Sequence, residues 1–162
     1  GLHIPFVHDS LNAALDFGEY ATEQHRWCNL QLGIAAKGSA DECFDLPAAH
    51  PDHGKRVAAY YFWLFPNTML NFYPWGLSVN VVRPLAPDLT KVSFSAYVGD
   101  RSKLDRGAGS SLDRVEREDE AVVEATQKGV RSSLYTRGRY SPTREQCVRH
   151  FHRLLVESLK PS

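Results

Sequence analysis

The sequence predicts an α+β domain built on an antiparallel sheet, and three observations carry that prediction. Strand-like stretches follow closely at residues 57–65, 68–72, 77–84 and 91–98, with Pro-Asn at 66–67 and Pro-Trp-Gly at 74–76 marking turns. Residues 110–130, SSLDRVEREDEAVVEATQKGV, are rich in Glu, Arg, Ala, Gln and Lys, with apolar residues at helical spacing. A last helix opens with Ser141 as N-cap and Pro142 at the first helical position.

Composition bounds what such a domain does. The 162 residues suit one domain with a single core, and 43% hydrophobic with 23% charged residues is an ordinary globular balance. Lys plus Arg and Asp plus Glu number 19 each, so no net field favours nucleic acid or an anionic membrane. Three cysteines, Cys28, Cys43 and Cys147, are few and odd in number, which predicts reduced thiols and a cytoplasmic setting. No apolar run approaches the ~20 residues of a membrane span, and no signal peptide is visible. The chain starts without Met, in mid-motif, so a single domain over 1–162 that is a fragment is expected.

Taken in order, GLHIPFVH places His3 and His8 five residues apart. On a straight helix such a pair lies about 140° apart and cannot share an ion. Pro5 between them predicts a bend across which the rings converge; the alternative is a pair of surface histidines. A bent His pair with a remote carboxylate is the donor set of a facial-triad iron site, with positions open for dioxygen and substrate. Residues 9–18 predict a short helix capped by Asp9 or Ser10 and stopped by Gly18. Residues 22–34 predict a strand with Trp27, Leu30 and Leu32 inward, and 35–55 a loop. His50-Pro-Asp-His53 in that loop lacks a second pair at zinc-site spacing and reads as solvent-facing.

The strands that follow are dense in aromatic side chains, AYYFWLFPNTMLNFYPW, which suits either core packing or a cavity wall. In the fourth, Val92, Phe94 and Ala96 alternate with Ser93 and Ser95. On the helix after them, Ser110 and Asp113 have capping-box spacing. Leu112, Val115, Val122, Val123, Thr126 and Val130 define one apolar face. Asp119 falls within about 20° of the middle of that stripe, whereas Arg114, Arg117, Glu118, Glu124 and Lys128 point elsewhere. A carboxylate there costs several kcal/mol unless paired or coordinated. From this helix alone it is a buried acid bonded to Arg, Tyr or amides, a metal ligand, or a catalytic acid or base. The last helix carries Cys147, Phe151, Leu154, Leu155 and Ser158 on one face. His150 and His152 fall on different faces, and Cys147-Val-Arg-His150 reads as helix surface.

Several stretches together resemble a known family. His3-Ile-Pro-Phe-Val-His8, the text from Tyr60 to Tyr73 with its Phe-Pro-Asn, Glu118-Asp119 followed by Gln127-Lys-Gly129, Gly138-Arg-Tyr-Ser and His150-Phe-His152 resemble the catalytic domain of Rieske-type aromatic-ring-hydroxylating oxygenase α subunits. The likeness is greatest to the branch with choline and carnitine monooxygenases. It implies a helix-grip (START-like, SRPBCC) fold, a curved antiparallel sheet over a long C-terminal helix with a deep pocket between. It carries the mononuclear Fe(II) ligands, and with them the catalytic role, onto His3, His8 and Asp119. It also implies a Rieske 2Fe-2S cluster and NAD(P)H acting through a partner domain and reductase, neither bound by this chain. A homotrimer is implied for the intact protein, along with a small aromatic or quaternary-amine substrate, O2, and no activity from the isolated domain. The Rieske cluster ligands and the acidic residue expected three positions before the first iron histidine are not in this sequence. Phe65, Asn67, Asn71, Tyr73 and Val115 are the expected substrate-facing residues. A START-like binding module, with Asp119 paired to an Arg, and a zinc hydrolase with the same triad are the rival functions.

Overall fold

The computed structural model of the protein describes residues 3–38 and 42–160. These residues form two compact units: one runs from Ser10 to Ser110, and the other combines the segment up to Asp9 with the chain from Ser111 onward.

The first unit is an antiparallel meander of six strands in sequence order: β1 (Ala21–His25), β2 (Cys28–Ile34), β3 (Val57–Leu64), β4 (Thr68–Tyr73), β5 (Gly76–Ala86) and β6 (Leu89–Val98). The single strand expected over 22–34 is instead a hairpin, with His25 paired to Cys28 across Arg26 and Trp27. Trp27, expected inward, sits at that turn half exposed, while Leu32 is buried and Leu30 partly so. The other four expected strands are present within two residues of their expected ends.

The core of this unit gathers at β3, where Val57, Ala58 and Ala59 are wholly buried, and takes in Leu15, Leu32, Ala35, Tyr73, Trp75 and Ala108. The register sets Tyr61 opposite Asn71 and Asn71 opposite Ser78, so these residues share one face with Asn29, Tyr73 and Asn80. Asn29, Ser78 and Asn80 are buried, and Ser78 Oγ donates to Asn80 Oδ1 at 3.1 Å. On β5 the polar residues are therefore the more enclosed ones, and the apolar alternates Leu77, Val79 and Val81 are only half-buried. At the β6 edge Phe94 is 44% exposed.

The second unit begins with α1 (Ile4–Val7), one helical turn, and its boundary leads into α2 (Asp9–Ala14), shorter than expected because Leu15 bridges to Ala35. The long helix α3 spans Leu112–Val130 and α4 spans Gln146–Leu159. The expected capping box at α3 does not form: the N-cap is Ser111 in the left-handed region (φ 54°), without a side-chain cap. Nor is its apolar stripe buried. Leu112 and Val115 are half-buried, but Val123 is 67% exposed and Val122 and Val130 also lie open. On α4 the buried residues are Leu154 and His150, so His150 is not the surface residue expected. A turn precedes α4, in which Ser141 N–H donates to Glu145 Oε2 and Arg144 N–H to Ser141 Oγ.

This arrangement corrects the helix-grip expectation. A sheet gripping its C-terminal helix requires the two to be one compact body. Here the meander is a unit by itself, the longest helix is α3 rather than the 14-residue α4, and both helices belong to the other unit. The architecture is a β-sheet core followed by C-terminal helices.

Candidate metal centre

Three side chains of the second unit converge. His3 and His8 flank α1 as its N-cap and C-cap residues, and Pro5 sits in the first turn, where its missing N–H costs nothing. The expected bend at Pro5 is thus not the device. The single turn ends at His8, whose ψ of 83° leaves the helix, and the two rings meet edge to face at 5.2 Å between centroids. Asp119, in the second turn of α3, points its carboxylate at both: Oδ1 lies 3.1 Å from His3 Nε2 and 3.1 Å from His8 Nε2.

The three donors lie within 4.8 Å of one another. Donors held at right angles ~2.1 Å from one ion are themselves ~3 Å apart, so both imidazole–carboxylate spacings suit a common ion. The proton count points the same way. Both ring nitrogens of His8 face carboxylate oxygens, Nδ1 on Glu118 Oε2 at 2.7 Å and Nε2 on Asp119 Oδ1 at 3.1 Å. A neutral imidazole has one N–H, so the other contact needs a second proton or a cation. His3 Nε2 addresses the same Oδ1 at 3.1 Å, so both rings converge on one oxygen. Imidazole and carboxylate are donors for iron, zinc and similar ions, and the residues present fit one such ion.

Electrostatics keep the acid charged. Partial burial opposes ionisation of Asp119, but the hydrogen bond and charge of His3, joined by His8, outweigh it and hold the carboxyl below its usual range. Glu118 is likewise held low, by His8 first and Arg114 second. Asp119 remains 42% exposed on its side chain and His8 only 1%, so the buried member of the group is an imidazole, not the acid as the sequence suggested.

Four of the other expected site residues, Phe65, Asn67, Asn71 and Tyr73, belong to the sheet unit. Asn71 and Tyr73 share a face of β4, and Tyr73 is buried, stacked on Trp75 at 5.2 Å between centroids. Asn67 donates its amide to the Val82 carbonyl at 2.9 Å, pinning the β3–β4 turn. Phe65 lies at the same turn with Trp27 and Trp63 at about 6 Å. Val115 is on α3, one turn before Asp119. His50 and His53 belong to a structural loop: Asp52 between them accepts from Lys55 and Tyr60, and His53 bonds the Leu46 carbonyl. Glu118 is the site residue missed from sequence, because 100° of helix separates it from Asp119. The adjacency of two acids, one on each side of a buried ring, was the available signal.

A sheet core with C-terminal helices and a two-histidine, one-carboxylate cluster defines a metalloprotein with a site for a single ion. Within that class the chain belongs to the family of ring hydroxylating alpha subunits (catalytic domain), whose family model matches residues 1–160. Choline monooxygenase, chloroplastic, of Arabidopsis thaliana is 34% identical over 99% of this chain and 37% of its own length. The carnitine monooxygenase oxygenase subunit of Escherichia coli K12 is 27% identical over 98% of this chain and 44% of its own. The chain therefore spans between 34% and 44% of the length of the curated relatives it matches. Among solved structures, a quaternary ammonium Rieske monooxygenase superposes with TM-score 0.72 at 21% identity, over 98% of this chain and 44% of that one, which shows the shared fold.

Proposed function

We propose that this chain is the iron-bearing catalytic domain of an oxygenase that hydroxylates a small quaternary-amine or aromatic substrate. The single observation carrying the reading is the convergence of His3 Nε2, His8 Nε2 and Asp119 Oδ1. The chemistry supplied by a ferrous ion in such a site is dioxygen activation, with coordination positions left free by a three-residue donor set. In the overall reaction a C–H bond becomes C–OH, O2 takes up two electrons and two protons, and water leaves. The electrons come from NAD(P)H through a reductase and a Rieske 2Fe-2S cluster outside this chain, in an intact homotrimer.

The residues of this chain hold and orient. His3 and His8 present ring nitrogens, and the Asp119 carboxylate, held below its usual range beside them, offsets the charge of the ion. Asn71 and Tyr73 on the sheet face, Phe65 and Asn67 at the β3–β4 turn, and Val115 on α3 are the proposed substrate-facing set. Aromatic faces suit a quaternary ammonium group through cation–π attraction.

The test is metal analysis joined to turnover. The full chain, supplied with Fe(II), a Rieske donor, reductase and NADH, is assayed for hydroxylation of choline, carnitine and simple aromatics. One iron per chain and substrate-dependent product are expected, both abolished in His3→Ala, His8→Ala and Asp119→Ala. Zinc with esterase-like turnover would assign a hydrolase. A folded, metal-supplemented protein without metal would assign a binding module.

A further inference from the structure

Outside the three donors, one contact at the site stands apart by its length and burial. His8, 1% exposed, is bound on its Nδ1 by Glu118 Oε2 at 2.7 Å, the shortest polar contact of the cluster. Glu118 does not hang free: its other oxygen, Oε1, accepts from Arg114 Nε at 2.9 Å, one turn back along α3. The two carboxylate oxygens are thus divided between a buried ring and a guanidinium that is 63% exposed. An ionised carboxylate only accepts, so Nδ1 of His8 must donate and carry the proton. Nε2, on the far side of the same ring, is then the nitrogen with a lone pair, and it is the one directed at Asp119 and His3.

We propose that Glu118, anchored by Arg114, is the positioning residue of His8: it fixes the ring in the Nδ1–H form and aims the bare Nε2 at the metal. This rests on the iron reading above and adds to it a residue that touches neither metal nor substrate. Ligating imidazoles commonly hand their second N–H to a carboxylate, and losing that partner weakens metal binding ~10–100-fold. The ordering is local to one turn of α3. Arg114 and Glu118 are an i, i+4 pair, and Asp119 is the residue next to Glu118, so one helix surface delivers both a ligand and the clamp on another ligand.

The experiment measures Fe(II) affinity by anaerobic competition with a chelator, and the His8 ring by 15N and 1H NMR of the Zn(II)-loaded full chain. In the parent protein, His8 is expected to ligate through Nε2 and to show a strongly downfield Nδ1 proton. Glu118→Ala is expected to lose that proton signal and ~10–100-fold in Fe(II) affinity. Glu118→Gln, which keeps an acceptor oxygen, should recover most of the loss, and Arg114→Ala should cost only a few-fold, up to ~10. Circular dichroism checks each fold; if Glu118→Ala does not fold, Glu118→Gln and Arg114→Ala carry the comparison. Ligation through Nδ1, or unchanged affinity and proton shift in folded Glu118 variants, would overturn the proposal. Full Fe(II) affinity in His8→Ala and Asp119→Ala would instead overturn the iron reading and the positioning role with it, even with the Nδ1 proton still seen in the parent protein.

Discussion

Tyr60 donates a hydrogen bond to Asp52 Oδ2 at 3.1 Å, and Lys55 Nζ reaches Asp52 Oδ1 at 2.7 Å, which fastens the His50–His53 loop to β3. Burial first, then the Asp52 carboxylate, pushes the Tyr60 phenol well above its ordinary value of 10.0. A raised native pKa means that folding favours the protonated form. Its contribution is full below the unfolded value and lost as pH rises through the folded one. Tyr60→Phe should therefore lose about 1–2 kcal/mol near neutral pH and flatten the decline of stability above pH ~10, read from urea midpoints between pH 7 and 11. His150 obeys the opposite sign. Desolvation, then Arg153, lowers its pKa from 6.5, so the native state favours the neutral ring. Its contribution is full above the unfolded value and lost as pH falls through the folded one. The urea midpoint should fall between pH 7 and 5, and less steeply in His150→Gln.

At the scale of elements, two glycines decide how the meander closes. Gly76 opens β5 at φ 148°, and a Cβ there would stand 2.1 Å from the Tyr97 carbonyl oxygen. Gly109, in the 3₁₀ turn Gly107–Gly109, faces the stacked Tyr73 and Trp75, where a Cβ would lie 2.2 Å from Trp75 Nε1 and 2.8 Å from the Tyr73 ring. Both obstacles are backbone or close-packed ring, so neither can yield cheaply. Gly76→Ala and Gly109→Ala should each cost about 2–4 kcal/mol by chemical denaturation, while Gly129→Ala, open to space on α3, should be neutral or slightly stabilising. Strand positions were legible from alternation and turn residues because those signals are local. The 22–34 hairpin was not, since Arg26-Trp27 is no turn signature. The buried polar residues of β5 reversed the usual hydrophobic-in rule.

At the scale of the molecule, the candidate site ties together chain positions 111 apart, His8 and Asp119. An ion bound there stabilises only the state in which both segments are in place. Saturation at a hundred times Kd should add about 2.7 kcal/mol and raise Tm, and a chelator should reverse it. In Asp119→Ala, Tm should no longer respond to metal by calorimetry. The downward shift of that carboxyl is itself conditional on the fold. His3 and His8 hold Asp119 below its usual range only while α1 and α3 are together.

The sequence by itself determined the last four strands and the long helix, because these follow from residue type and short-range spacing, and it indicated the family and the donor set His3, His8 and Asp119 through a resemblance of motifs. Only the tertiary structure decided that the sheet and the helices form separate compact units, that the acid lies half open beside a buried imidazole, and that Glu118 grips His8. Those depend on which atoms face each other across a hundred residues of chain, and no periodicity along one element encodes a partner on another.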